Sequence, residues 1–548
     1  MLDSNNVVQL EDLKSIYFLY QDTVLTNDGV IYTCDFESPS VNRMFELIEK
    51  HPELLPNHHG ALSVKKIERT VVKHIIDQIT RTNHDTFINT DTLNAVAQRA
   101  VNMLQDAALR EVSDIHIELY AHETRIEGRV DGKMQSLQPP IPEHEYGKLL
   151  FGYLFNELSV DKTSDFYQNQ INNARIEIEL DTKNGRRETF WRIAYLPAKD
   201  NGGQLTLRWL NKDEFVPSLD NIGWETGHVR IMRDFTQSAS GICLLAGQVG
   251  SGKTTTIASA LLELKGKGRS MNTLEDPVEF DLGIIQSSVV TQKDDEDLMF
   301  TYGKALLRHD VDIESHGEIR DTKGAMNVCR KGETGQIMFS TLHTSSALGI
   351  AHTLDEQMHV PSALIAAPNL MKLWVYQTLV RTLCPHCCLS FNETQAHLDD
   401  EQQKKLNHWL SEQGDLSIKE TMRFKHPDGC NHCNEGEKGR TTLVEMIVLD
   451  DEDRLFISNK DYLGWSKALL AKGFKPISSH ATLKIKRGHI DVFSANERVN
   501  GLLSETSINA YQQLWEEAPQ HQSQPVNNKR SRRRGKKQHQ ERQANCLT

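Results

Sequence analysis

Gly241-Ile-Cys-Leu-Leu-Ala-Gly-Gln-Val-Gly-Ser-Gly-Lys-Thr-Thr-Thr256 is the stretch on which the reading of this chain turns. It opens as an apolar run, Gly241 to Leu245, of the kind that forms a buried strand, and continues into a segment with apolar residues at helical spacing, Ile257, Leu261 and Leu264. Between strand and helix lies Gly247-x-x-x-x-Gly252-Lys253-Thr254. Glycines let a backbone turn tightly and aim its N–H groups at phosphate oxygens, and the helix N-terminus behind them adds a favourable dipole. Gly247, Gly250, Ser251, Gly252, Lys253, Thr254 and Thr255 therefore read as a nucleotide phosphate cradle, with Lys253 reaching the β- and γ-phosphates and the Thr254 hydroxyl on Mg²⁺. ATP is the expected ligand.

Downstream of the cradle, strand and helix patterns alternate, the signature of an α/β domain on a mostly parallel sheet. Three further clusters carry chemistry. Leu274-Glu-Asp-Pro-Val-Glu279 sets carboxylates after the strand-like Met271 to Leu274, where one can orient or deprotonate an attacking water. Gly317-Glu-Ile-Arg-Asp321 offers a carboxylate for Mg²⁺ or water and an arginine for charge pairing. Ser340-Thr-Leu-His-Thr344 follows the strand-like Ile337 to Phe339 and would bring His343 near a phosphate.

Upstream, a helical pattern from about Asp91 leads into alternating segments around Ile115, Ile117 and Leu119 and around Ile126 and Val130, with Asp131-Gly132 closing a hairpin. More strand-like stretches run over 175–180, 190–196 and 204–210, which gives a small α+β domain over 91–212 and a connector over 213–219. Residues 1–90 mix helical patches and turn signals and carry no recognisable chemistry.

The full chain has 548 residues, enough for two to four domains, and 38% hydrophobic with 25% charged residues suits a globular protein. The initial Met1 to Lys14 lacks a basic segment followed by an apolar one, and no run reaches the roughly 18 apolar residues of a membrane span. A cytoplasmic protein that reaches a membrane only through a partner is expected. The formal charge of −13 is uneven, because Lys529 to Arg542 holds eight Lys or Arg against one Glu and leaves about −20 for the rest. That basic segment lies in a tail, 519–548, whose composition suits disorder and which could touch acidic lipid, nucleic acid or an acidic partner.

Four of the nine cysteines form two pairs, Cys384-Pro-His-Cys387 and Cys430-Asn-His-Cys433, with 42 residues between them. Two such knuckles can give four thiolates to a tetrahedral Zn²⁺. Cys388, His386 and His432 lie close enough to compete as ligands, but the paired thiols are the simpler set. Disulfides would fit poorly with a reducing cytoplasm.

With these pieces in this order, the chain resembles the secretion ATPase superfamily of type II secretion and type IV pilus assembly. The resemblance rests on the phosphate loop, the acidic box Glu275 to Glu279, the segment Gly317 to Asp321, the histidine box Ser340 to Thr344 and the two cysteine pairs, and it covers roughly 91–505. It implies a RecA-like ATPase domain over 220–518 that carries a zinc-binding insert at 384–440, preceded by a PAS-like α+β domain over 91–212. It also implies a homo-hexamer, located at the inner membrane through a platform protein, that hydrolyses ATP to drive assembly of a pilus or pseudopilus. The roles it implies are phosphate and Mg²⁺ binding for Lys253 and Thr254, general base for Glu279, Mg²⁺ or water for Glu318, and γ-phosphate sensing for His343. Arg192 and Arg208 sit where the family places arginines that reach ATP across an interface, and Arg125 and Arg129 are further candidates. The tetracysteine insert points to the assembly branch, and the short N-terminal region fits a plasmid-borne type IVb pilus system.

Three departures stand out. The strand before Gly317 reads Asp312-Ile-Glu-Ser-His316 where a central parallel strand is ordinarily apolar throughout, so Glu314 and His316 must either pair or lie exposed. Gln248-Val249 replaces the family's Pro-Thr, and Thr378 stands where arginine is usual. The polar strand keeps a non-hydrolysing scaffold open as an alternative. The basic tail keeps open a nucleic-acid motor, although the body of the chain is acidic and offers no basic stripe, so no nucleic-acid partner is expected.

Overall fold

Six consecutive buried residues, Gly241–Ala246, form the strand that leads into the phosphate loop. Such a run is stable only with both faces covered, and the strand lies inside a seven-stranded sheet. The structure is a computed structural model that describes residues 6–8, 13, 17, 22–36, 38–51, 55, 60–68, 70–72, 75–76, 90–162, 166–212, 215–289, 298–415, 417–503, 511 and 514. The basic tail expected over 519–548 and the first two connector residues, 213 and 214, lie outside the described residues. The chain falls into two units, Met1–Arg381 with Gly439–Phe474, and Thr382–Lys438 with Lys475 onward.

The first unit holds three sheets. Near the N-terminus, β1 (Thr23–Leu25), β2 (Val30–Thr33) and β3 (Ser63–Lys66) form a small sheet in that order, antiparallel and then parallel. The helix Pro39–Lys50 is started by the Ser38 side chain, which accepts from the Ser40 N–H, and its Met44 joins Tyr17, Leu25 and Ile31 in a separate core.

The middle sheet contains β4 (Asp114–Leu119), β5 (Thr124–Val130), β6 (Lys133–Ser136), β7 (Ser159–Lys162), β8 (Asn172–Thr182), β9 (Gly185–Pro197) and β10 (Gly203–Trp209). Its order is β6-β5-β4-β10-β9-β8-β7, with antiparallel pairing between every pair of neighbours. Alternation fixes which face is covered. Ile115, Ile117, Trp191, Ile193, Leu205 and Leu207 point inward against Leu104, Leu150 and Phe151 of the helices Thr90–Leu109 and His144–Gly152. The β5–β6 turn is Asp131-Gly132, both at positive φ, as a two-residue hairpin of the primed type requires.

The third sheet contains β11 (Gly241–Ala246), β12 (Met271–Glu275), β13 (Ile285–Ser288), β14 (Ile313–Glu318), β15 (Ile337–Leu342), β16 (Met371–Leu383) and β17 (Glu437–Val448), in the order β13-β12-β14-β15-β11-β16-β17. From β13 through β16 the pairing is parallel. In such sheets the carboxyl ends of the strands open on one edge, where ligands collect. The strand β14 is buried despite its polarity, and its charges pair. Lys331, on the helix Thr322–Glu333, donates to Glu314 Oε1, both side chains being fully buried, and His316 Nδ1 lies 3.4 Å from the same oxygen.

In the second unit the cysteine-bearing segment is built together with the helices Ile477–Lys486 and Val492–Asn496. Leu383 N–H donates to His489 O at 3.0 Å, Lys425 N–H donates to Asp491 Oδ2 at 3.1 Å, and the rings of Phe424 and Phe493 are 6.4 Å apart. The division expected from sequence set 384–440 apart as an insert within a domain running to 518, whereas the unit also takes in the chain from Lys475 onward. The reason is packing between segments 66 to 106 residues apart, which no local pattern announces.

Candidate nucleotide and metal sites

The phosphate loop is held open from both sides. Gly250 and Gly252 adopt φ of 74° and 82°, left-handed values that a side chain would strain. Gly247 is required for space as well, since a Cβ there would lie 2.3 Å from the Gln377 carbonyl oxygen of neighbouring β16. The helix Lys253–Leu264 starts directly behind Gly252, and none of its first N–H groups receives a side-chain cap from that glycine. An anion is the natural partner for such a terminus.

Lys253 Nζ donates to the Gly247 and Gln248 carbonyls at 2.9 and 3.1 Å, curled over the loop it serves. Burial lowers its pKa, and the nearby Glu318 and Glu279 carboxylates oppose that shift. His343, one residue past β15, reaches the same loop through Nδ1, 2.8 Å from Gly247 O, and its Nε2 is 3.2 Å from Glu318 Oε1. Glu318 ends β14, and its other oxygen accepts from Arg320 Nε at 3.2 Å, while Arg320 Nη1 contacts Asp276 Oδ2 at 3.4 Å. A register shift between His316 and Glu318 sets that carboxylate, and Ser340 Oγ donates to the carbonyls of His316 and Gly317 across the irregularity. The ends of β11, β12, β14 and β15 thus gather the phosphate loop, Asp276, Glu318 and His343, with Glu279 near enough to act on Lys253.

The arginines lie elsewhere. Across the middle sheet Arg175, Arg192, Arg208, Asp114 and Arg129 occupy one row of register partners. Arg208 Nε donates to Asp114 Oδ1 at 2.7 Å, Arg129 lies 3.9 Å from the other oxygen, and Arg192 is exposed. Arg125 turns to Glu123 at 2.7 Å. Among the described residues, no hydrogen bond or ion pair joins Arg192 or Arg208 to the phosphate loop of the same chain.

One loop contact escaped the sequence reading. Gln377 is fully buried on β16, where it bonds to Ser251 and Thr256. The sign in the sequence was a single amide inside a largely apolar strand, Leu373-Trp-Val-Tyr-Gln-Thr-Leu-Val380.

In the second unit Cys384, Cys387, Cys430 and Cys433 bring their sulfurs within 4.8 Å of one another, and Cys388 is outside this group. The separations are 3.8 Å for Cys384–Cys430, 3.6 Å for Cys387–Cys433 and 3.6 Å for Cys430–Cys433. Those are far too long for disulfides. Four sulfurs at the corners of a tetrahedron about 2.3 Å from a central Zn²⁺ stand about 3.8 Å apart, so the donor set fits that ion. Burial acts to raise the Cys433 thiol, yet the Cys430 N–H donated to it at 3.2 Å, with the neighbouring thiols, draws it to about 7, within reach of the thiolate a metal needs.

A family model described as Type II/IV secretion system protein matches residues 89–503 of this chain. The type II secretion system protein E of Aeromonas hydrophila is 32% identical over 361 residues, covering 65% of this chain and 66% of that protein. The type IV pilus assembly ATPase PilB of Myxococcus xanthus (strain DK1622) is 28% identical over 461 residues, covering 82% and 73%. Among solved structures, the Legionella pneumophila ATPase DotB aligns at 18% identity with a TM-score of 0.49, covering 76% of this chain and 97% of that one.

Proposed function

The chain belongs to the type II/IV secretion system protein family, and from that premise we propose that it is an ATP-hydrolysing motor that works as a homo-hexamer to drive assembly of a type IV pilus or a type II secretion pseudopilus. The observation that carries the reading is the convergence of Lys253, Glu318 and His343 on one glycine-rich loop at the carboxyl edge of a parallel sheet. Hydrolysis of a phosphoanhydride asks for little covalent chemistry and much positioning of charge.

In this reading the loop N–H groups hold the phosphates, and Lys253 leaves the Gly247 and Gln248 carbonyls to reach the β- and γ-oxygens. The Thr254 hydroxyl and Glu318 would hold Mg²⁺, which would supply neutralisation of the charge that develops on the transferred group. Glu279 takes the proton of the attacking water. His343, already fixed between Gly247 O and Glu318, reports whether a γ-phosphate is present. Arg192 and Arg208 serve the site of an adjacent protomer. The middle domain is read as the PAS-like module of the family, and its movement against the ATPase domain is the stroke, passed to a platform protein in the inner membrane. No helix among the described residues is long and apolar enough to cross a membrane. The four cysteines would hold Zn²⁺, which would tie the second unit together.

The pairing of Glu314 with Lys331 supports hydrolysis over a degenerate scaffold, because the polar strand that motivated the scaffold is a neutralised one. ATPase assays of the purified chain test the proposal. Glu279→Gln is expected to lower turnover at least about a hundredfold, the range a positioned proton acceptor supplies, and Lys253→Ala at least about a hundredfold through loss of the charge that clamps the phosphates. Wild-type turnover no higher than that of these variants would overturn it.

A further inference from the structure

We infer that Gln377 is a positioning residue that sets the direction of a phosphate-binding N–H in the loop, an inference that rests on the nucleotide reading of that site. Gln377 is fully buried on β16, the parallel neighbour of β11, and its side chain ends against the turn of the loop. Its Nε2 donates to the Ser251 carbonyl at 2.8 Å, and its Oε1 accepts from Thr256 Oγ1 at 3.0 Å. The amide is fixed in this sense, because the reverse would set Oε1 against the Ser251 carbonyl, two acceptors facing each other.

The consequence follows from the planarity of one peptide. In a trans amide the C=O and N–H bonds point in opposite directions. Holding the Ser251 carbonyl towards β16 therefore turns the Gly252 N–H away from β16. That N–H belongs to the glycine at φ 82° on which the helix Lys253–Leu264 begins. A cradle for anions needs its N–H groups aimed inward, so every carbonyl turned outward needs a donor, and here the donor is a side chain from another strand. Thr256 ties the same amide to the first turn of the helix, so loop, helix and β16 share one hydrogen-bonded centre. Gln377 also bounds the loop through its backbone, since its carbonyl oxygen occupies the space a Cβ at Gly247 would need. Ser251 itself is buried, which leaves the loop little freedom to turn the peptide by another route.

Gln377→Glu keeps the size of the side chain but removes the donor and sets a carboxylate oxygen against the Ser251 carbonyl, while Gln377→Leu removes both bonds. Binding of fluorescently labelled ADP by the full chain is measured for both, beside thermal unfolding without nucleotide. Loss of one hydrogen bond to a charged group is expected to weaken ADP roughly ten- to a hundredfold. Labelled adenosine, which has no phosphate to place, serves as the control, and its binding is expected to change less than about twofold. A merely structural role would lower the unfolding temperature and leave the ratio of ADP to adenosine affinity where it was, and that outcome overturns the inference. Should neither variant fold, Thr256→Val is expected to weaken ADP roughly three- to tenfold and Thr256→Ser to restore it, consistent with one neutral hydrogen bond. Unaltered ADP affinity in Thr256→Val would then overturn it. Loss of ADP binding in Lys253→Ala, beside intact binding in the Gln377 variants, would sink this inference and leave the nucleotide site standing, whereas intact binding in Lys253→Ala would sink both.

Discussion

Glu314 and Lys331 show how a sequence can break a rule and keep the fold. A carboxylate in a central strand is forbidden only while it is alone, and here a lysine 17 residues further along, on the helix Thr322–Glu333, lies fully buried against it. Burial lowers the Lys331 pKa, and the carboxylate pulls in the other direction. Removing one partner leaves a buried charge, so Lys331→Met is expected to cost about 3–5 kcal/mol in urea unfolding. Replacing both, as Glu314→Leu with Lys331→Met, is expected to recover stability to within about 1 kcal/mol of the parent, since two apolar groups need no solvation. A double variant as unstable as the single one would show that the pair does more than neutralise itself. The chemistry-bearing residues were legible because each motif is a short run whose spacing is set by one ligand. Gln377 was not, because its two partners, Ser251 and Thr256, are more than a hundred residues away and the amide alone carries no spacing.

Elements were legible where periodicity and length agreed. Gly241–Ala246 and the helix after it follow from an apolar run, a glycine loop and a helical stripe. The N-terminal sheet did not, since its strands are three or four residues long and too short to show alternation. The two cysteine knuckles lie between, with their spacing readable but their surroundings not, because the helices Ile477–Lys486 and Val492–Asn496 that complete the unit come from further along the chain. That unit brings four thiols within 4.8 Å of one another. Metal analysis of the purified chain is expected to give one Zn²⁺ per chain, held by Cys384, Cys387, Cys430 and Cys433. Metal binding of this type contributes on the order of 10 kcal/mol in small zinc domains, so stripping it with a chelator, or Cys430→Ser, is expected to open Thr382–Lys438 to proteolysis. Unchanged cleavage of the stripped chain would count against a structural ion.

At the scale of the whole molecule the unexplained feature is the arginine row of the middle sheet. Arg192 stands directly opposite Arg175 on one side and Arg208 on the other, and like charges in such cross-strand positions repel. Asp114 compensates at one end, through Arg208 and more distantly Arg129, and Glu177 at the other, 2.6 Å from Arg175, with Arg192 between them. A protein tolerates a row of this kind at low cost when an anion from elsewhere shares it. Within one chain no described ion pair or hydrogen bond joins Arg192 or Arg208 to the phosphate loop, and on the function proposed above the anion they would meet is a nucleotide held by another protomer. Ring assemblies use head-to-tail interfaces, in which the surface that holds the loop on one copy faces a different surface on the next. The arrangement predicts complementation between two inactive chains. Lys253→Ala lacks the loop lysine but keeps both arginines, and the double variant Arg192→Ala, Arg208→Ala keeps the lysine. Co-expressed in equal amounts and randomly mixed, they form about one intact interface in four, so mixed rings are expected to regain up to about a quarter of the parent ATPase rate while each variant alone stays inactive. If the arginines acted within their own chain, every site in the mixture would lack one partner or the other, and the mixed rings would be as inactive as the separate ones.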